Sequence, residues 1–248
     1  MPTFRHGKNT VVLFDKYDLS QYFTTANVNA TSEAVETTTF GSANKTYAVG
    51  MRDGKISLEG LWSGVLDTEG VDAVLTAAFG STTKKVVTVA SEGAALGRRA
   101  KLVNGDEASY QVKGAVADMV TISAEVQASG TQGGLDGGVL LAANQVVSAL
   151  IANSSVDNTA STTNGGVAHL HVTANTRNGA ATIKVQHSAN NSTWADLVVF
   201  TTTTNSTTTS ERVEVAAGTT INRYIRANIS SVAGSTGSLT LTVGFARR

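Results

Sequence analysis

An all-β fold is what this sequence predicts, and three features carry the prediction. Apolar and polar residues alternate in short runs along the 248 residues, and Thr, Ser, Asn and 24 glycines fill the polar positions and turns. Only one convincing segment repeats its apolar residues at helical spacing. Thr suits a pleated backbone, and turn residues at short intervals punctuate sandwiches and barrels. The length accommodates one large β domain or two ordinary ones. With 41% apolar and 15% charged residues, the chain can build a core under a polar, lightly charged surface. Its 19 basic and 19 acidic residues cancel, which argues against a general nucleic-acid-binding surface. Cysteine is absent, so neither a disulfide framework nor a Cys-ligated zinc site is available. The first residues lack an apolar signal core, and the longest apolar run, 146–152, is far short of a bilayer span. The single proline, Pro2, leaves sheet edges without one of their usual blockers, which permits assembly.

In chain order, residues 1–8 read as a polar, basic arm and 10–15 (TVVLFD) as a strand. Residues 17–23 read as a strand end folded over the core, and 24–31 as extended and polar. Residues 34–39 and 55–63 read as two strands. In the second, Ile56, Leu58, Gly60 and Trp62 alternate with Ser57, Glu59, Leu61 and Ser63, as on a half-buried strand. Between them, residues 40–53 read as a loop too long for a tight turn, the kind that is functional or disordered. Phe40, Tyr47, Val49 and Met51 are spaced along it and need an apolar surface, on their own sheet or on a neighbouring molecule.

Residues 67–79 (DTEGVDAVLTAAF) form the predicted helix. Asp67 is the expected N-cap, Glu69 and Asp72 lie near the positive end, and Val71, Val74, Leu75 and Ala78 make one stripe. Strands follow at 84–90, 97–103, 109–113 and 116–128, with Asn104-Gly105-Asp106 as a hairpin-type turn. In the last strand Val120, Ile122, Ala124 and Val126 alternate with Thr121, Ser123, Glu125 and Gln127. Residues 130–138 (GTQGGLDGG) are a glycine-rich break, and 139–152 a strand pair or connecting segment. The expected division is a β domain at 1–152, a polar linker at 153–166 and an antiparallel sandwich of jelly-roll or immunoglobulin-like type at 167–248. That sandwich has expected strands at 167–174, 181–187, 195–202, 212–215, 221–227 and 238–245. The tract 201–210 (TTTTNSTTTS) reads as an exposed loop, and Trp194 as a packing residue.

Chemistry is sparse. His169 and His171 share a strand face and could be joined by His187 as metal ligands, but histidines on a β surface are the commoner case. No EF-hand pattern is present, and the glycines of 130–138 lack the Gly-Lys-Ser/Thr ending of a phosphate loop. Neither catalytic residues, a cofactor nor a metal is predicted. Lys84, Lys85, Arg98, Arg99 and Lys101 could cluster on adjacent strands, as a solvated face or as pairing groups. With 6% aromatic residues the chain lacks the interleaved rings of sequence-reading nucleic-acid proteins.

The order of short N-terminal strand (VVLFDKYDLSQYF), long strand-loop-strand, helix and further strands resembles the major tail tube protein of long-tailed bacteriophages, over residues 1–145. The segment QHSANNSTWADL resembles the galactose-binding-like jelly rolls found in phage tail proteins. The first resemblance implies a structural virion protein without enzymatic activity. Its copies would form stacked, hexameric rings around a lumen that conducts phage DNA without specific binding. It further implies other tail proteins as partners, such as tape measure and terminator, no membrane association, assembly in the host cytoplasm and residence in the virion. On that reading Phe40, Lys45, Tyr47, Met51 and Arg52 make inter-subunit contacts, Glu125 and Gln127 face the lumen, and the C-terminal sandwich decorates the outside. The other readings are a carbohydrate-binding or adhesin module, and a minor tail or capsid-decoration protein.

Overall fold

A computed structural model describes residues 6–64, 70–130, 134–234 and 236–248. The described residues are nearly all β, with antiparallel sheets and one α-helix. The first strands are β1 (Val11–Phe14), β2 (Tyr17–Asp18), β3 (Phe23–Glu36) and β4 (Tyr47–Leu61), followed by α1 (Val71–Ala78). Then come β5 (Lys85–Ala90), β6 (Arg99–Lys113), β7 (Thr121–Ala128), β8 (Leu135–Val147), β9 (Ile151–Ala152) and β10 (Val156–Asp157). The last six are β11 (Gly166–Asn175), β12 (Ala181–Ser188), β13 (Ala195–Val199), β14 (Thr209–Val215), β15 (Tyr224–Val232) and β16 (Leu239–Arg247).

Two compact units arise, and neither is continuous in sequence. One is built from 1–23, 85–103 and 136–248, the other from 24–84 and 104–135. The segment expected as a linker, 153–166, lies within the first, where Val156–Asp157 pairs with β15. The reason is strand order. β16 lies between β11 and β8, so late strands complete a sheet that early strands begin.

In the first unit, strands run in the order β14-β11-β16-β8-β6-β5-β1-β2, and a second sheet has the order β10-β15-β12-β13 with β9 also on β15. Between the sheets, Leu170 and Val172 of β11 and Leu241, Val243 and Phe245 of β16 share a core with Ile183 and Val185 of β12 and Ile225 and Ile229 of β15. The opposite face of β11 is covered too, Val167 packing with Ala90, Ala100, Leu102, Leu140 and Ala246. A strand buried on both sides reads as a nearly unbroken apolar run, and GVAHLHV comes close to one. Gly138 lets β8 approach β16: a Cβ there would sit 2.4 Å from the Phe245 carbonyl oxygen.

In the second unit, β7 lies between β4 and β6, with Lys55 opposite Gln127 on one side and Lys113 opposite Thr121 on the other. Ile56, Leu58, Ile122, Ala124 and Val126 are buried, as is the stripe Val71, Val74, Leu75 and Ala78 of α1. The helix begins at Gly70 without a side-chain cap. The expected cap Asp67, like Glu69, lies outside the described residues. Asp72 ties α1 down, accepting from Trp62 Nε1 at 3.0 Å and from the Tyr110 hydroxyl. Burial, reinforced by that carboxylate, pushes the Tyr110 phenol up to about 12. Asn104-Gly105-Asp106 is not a turn: β6 runs straight through it. Gly105 is needed for close approach, since a Cβ would fall 2.2 Å from the Gln127 carbonyl oxygen.

Candidate assembly surface

The expected strand-loop-strand is a longer hairpin than its sequence suggested. β3 has 14 residues and β4 has 15, leaving only 37–46 as the connection. At roughly 3.3 Å per residue each strand spans nearly 50 Å. Thr37 N donates to Thr46 O at 2.8 Å at the tip, and Thr24 Oγ1 donates to Glu59 O at 3.2 Å near the base. β7 pairs β4 only over Lys55–Leu61. Among the described residues, 47–54 therefore pair with β3 alone, and the two strands project as a two-stranded arm.

The predicted contact residues all lie on this arm. Phe40, in the connection, is fully exposed, and Lys45 reaches Glu36 across the tip at 3.4 Å. Such an exposed pair adds little stability. Tyr47, Val49 and Met51 alternate on one face of β4 and are 58%, 80% and 80% exposed, while Arg52 is exposed on the other face. Val35 on β3 is also exposed and was missed, since a lone valine in a Thr-rich tract gives no periodic signal. A two-stranded ribbon is marginal by itself in water, and apolar side chains in a row along one gain nothing until covered.

Glu125 and Gln127 lie two apart on the polar face of β7. Glu125 accepts from Lys55 Nζ at 2.7 Å, and Gln127 Nε2 donates to Asp53 Oδ1 at 2.5 Å and Gly54 O at 3.1 Å. The structure thus brings the two lumen candidates together at the base of the arm. Lys55, not singled out in the sequence, neutralises one of them. Further exposed apolar side chains, Val116 and Met119, sit in the connection between β6 and β7, where the sequence predicted continuous strand.

The histidines serve packing. His169 and His171 are fully buried on β11, and their bonds form one directed chain. His171 Nδ1 lies 2.6 Å from the Asp15 carbonyl oxygen, so it carries a proton, leaving Nε2 to accept from Thr88 Oγ1 at 2.8 Å. Thr88 Oγ1 then accepts from His169 Nδ1 at 3.1 Å, and His169 Nε2 accepts from Arg212 Nη1 at 2.9 Å. This tautomer assignment, drawn from the bonding geometry, keeps both rings neutral. Burial holds both below the ordinary histidine range, His169 well below it and His171 down to about 4. His187 is elsewhere, its Nδ1 accepting from Asn222 N at 3.1 Å. No group of three or more His, Asp or Glu side chains could hold a metal ion among the described residues. Arg212 continues the chain to Asp136, which also binds Arg248 through both oxygens at 2.9 and 3.1 Å. Trp194 is half-buried under the Arg226 guanidinium, 4.0 Å from the ring centroid. Within the tract 201–210, read as an exposed loop, Thr203 is buried, and its Oγ1 accepts from Ala181 N at 3.1 Å.

No helix among the described residues is long and apolar enough to cross a membrane. No protein-family model and no curated protein matches the sequence. Solved structures do resemble it. A chain from the virion of a native gene transfer agent particle is 15% identical, covering 54% of this chain and 98% of its own length with a TM-score of 0.42. The Dit protein of phage SPP1, described as a hub adsorption apparatus protein, is 13% identical over 96% of this chain and 99% of its own, with a TM-score of 0.37. A chain of the phage p2 baseplate is 8% identical over 94% and 97%, with a TM-score of 0.34.

Proposed function

We propose that this chain is a structural, non-enzymatic virion protein, a phage tail tube subunit that assembles with copies of itself. The observation that carries the reading is the β3–β4 arm, which presents Tyr47, Val49 and Met51 to solvent on two strands with no third among the described residues. A second copy is the natural cover. Edge pairing between copies satisfies the arm's unpaired backbone groups, and closure into a ring removes the free edge altogether. In this reading the rings are hexameric and stack into a tube, Phe40, Lys45, Tyr47, Met51 and Arg52 bridge subunits, and the sandwich to which 167–248 contribute decorates the outside.

The polar face of β7 lines the lumen, with Glu125 and Gln127 on it. The Lys55–Glu125 ion pair carries no net charge, so DNA passes without the counterion-release affinity that would hold it. Tape measure and terminator proteins are the expected partners at the tube ends, with assembly in the host cytoplasm. Negative-stain microscopy of the purified protein tests the proposal directly. Tubes or stacked rings from the native chain, and none from Tyr47→Asp/Met51→Asp, are the expected result. Normal tubes from the double variant would remove the arm's role, and tight duplex DNA binding by the tube at moderate salt would remove the lumen assignment.

A further inference from the structure

Several cations of this protein face a carboxylate: Lys84 with Asp106, Lys85 with Asp15, Arg223 with Asp157 and Arg248 with Asp136. Arg99, Lys101 and Arg247 do not, and none of them forms an ion pair among the described residues. These three line two adjoining cavities of the first unit. Arg99 and Lys101 lie two apart on the exposed face of β6, and with Gly137 and Gly138 they border a cavity of about 220 Å³. Arg99 and the same two glycines border a second, of about 400 Å³, which Arg247 lines from β16 and Asn158 and Thr159 line from the β10 side. Arg99, Gly137 and Gly138 border both, so the two cavities adjoin and together make the cleft.

The cleft is built for an anion. Gly137 keeps the wall low beside the cations, since a Cβ there would lie 3.4 Å from Lys101 Nζ, whereas the missing Cβ of Gly138 faces β16. Arg247 is half-buried, its Nε has no hydrogen-bond partner, and its Nη1 reaches only Asn158 O, at 3.5 Å. Burial lowers its pKa, as expected of a cation taken from water without compensation. The acids that border the cleft do not supply that compensation. Asp157 is held by Arg223 through both oxygens at 2.6 Å, and Glu92 accepts from the Arg99 backbone amide at 3.5 Å. Arg99, joined by Lys101 at one cavity and by Arg247 at the other, offers donors to a tetrahedral oxyanion, which accepts hydrogen bonds from several sides. Ser91 adds a hydroxyl at the first cavity, and at the second the Thr159 oxygen, whose proton goes to Asn158 O at 2.6 Å, can accept from a polyol hydroxyl.

We propose that this cleft binds a phosphate group carried on a small polyol or sugar. The site is independent of the arm, so its failure would leave the assembly reading untouched. Equilibrium dialysis of the full-length protein with labelled inorganic phosphate at low ionic strength tests it, in whatever oligomeric state the protein adopts. One saturable site per chain is expected, displaced by glycerol 3-phosphate more strongly than by phosphate and unaffected by glucose or by chloride at equal ionic strength. Arg99→Ala/Lys101→Ala removes two exposed side chains, so the fold should survive, and affinity should drop about tenfold or more. Arg52→Ala, an exposed cation on the arm, should leave it unchanged. Unsaturable uptake, equal competition by chloride, or equal loss in both variants would overturn the proposal.

Discussion

β11 and the outer half of β4 spend similar apolar side chains in opposite ways. From Gly166 to Val172 β11 hides every residue, with one sheet below it and the β5–β6 side chains above. From Tyr47 to Arg52 β4 hides none fully, though three of its six residues are large and apolar. The first region draws its stability from its own chain. The second carries apolar surface whose burial, at roughly 25 cal/mol per Å², is realised only against something else. Substitutions should therefore register as lost stability in one region and as lost assembly in the other.

The largest stability effect is expected at Arg177. Only 2% exposed, its guanidinium donates to the carbonyls of Ser148, Gly237, Ala233 and Gly234 at 2.8–3.1 Å. Arg177→Met keeps the volume but strands those oxygens, at a cost of about 3–5 kcal/mol measurable by denaturant unfolding. A value within experimental error of zero would show that loop water replaces the guanidinium.

Acid should come next. The His171 pKa falls from 6.5 in the unfolded chain to about 4 in the folded one, so the unfolded state binds the proton more readily. Stability is then complete above pH 6.5 and is lost as pH falls from there towards 4, by about 3 kcal/mol from this residue alone. Unfolding midpoints at pH 7.5 and 4.5 check this, and His171→Gln should flatten the difference. Asp136→Asn, which leaves Arg212 and Arg248 with weaker partners, should cost about 2 kcal/mol at neutral pH by the same assay. The smallest effect belongs to the arm. Tyr47→Asp/Met51→Asp, unfolded at concentrations too low for association, should shift stability by no more than about 0.5 kcal/mol while abolishing tubes. A large loss in the dilute chain would mean that the arm packs on its own body, and the contrast with β11 would fail.

Legibility in the sequence followed the same contrast. The strands at 167–174 and 181–187 are readable because each buries alternate or successive apolar residues, and they match β11 and β12 to within a residue or two. β3 is not readable as a continuous strand. Its Thr, Asn and Ala side chains face water on both sides, so nothing enforces a period of two. The Asn-Gly-Asp of β6 carries turn chemistry, yet tertiary pairing with β7 overrides it. The arm residues were found because large apolar side chains in a polar tract need an explanation wherever they lie. The spacing of His169 and His171 placed them on one face. Thr88, 81 residues from the first of them, became their partner only through sheet order.

That order also governs how the chain matures. β16 inserts between β8 and β11, one made about a hundred residues earlier and the other about seventy. During synthesis both strands wait on the ribosome with unmet edges, so the first unit cannot close until its final strand emerges. A nascent chain of this design is exposed to mispairing with its siblings while the roughly one hundred residues between β8 and β16 are made. Slow codons or a holdase acting late, over residues 215–240, would shape yield more than any early event.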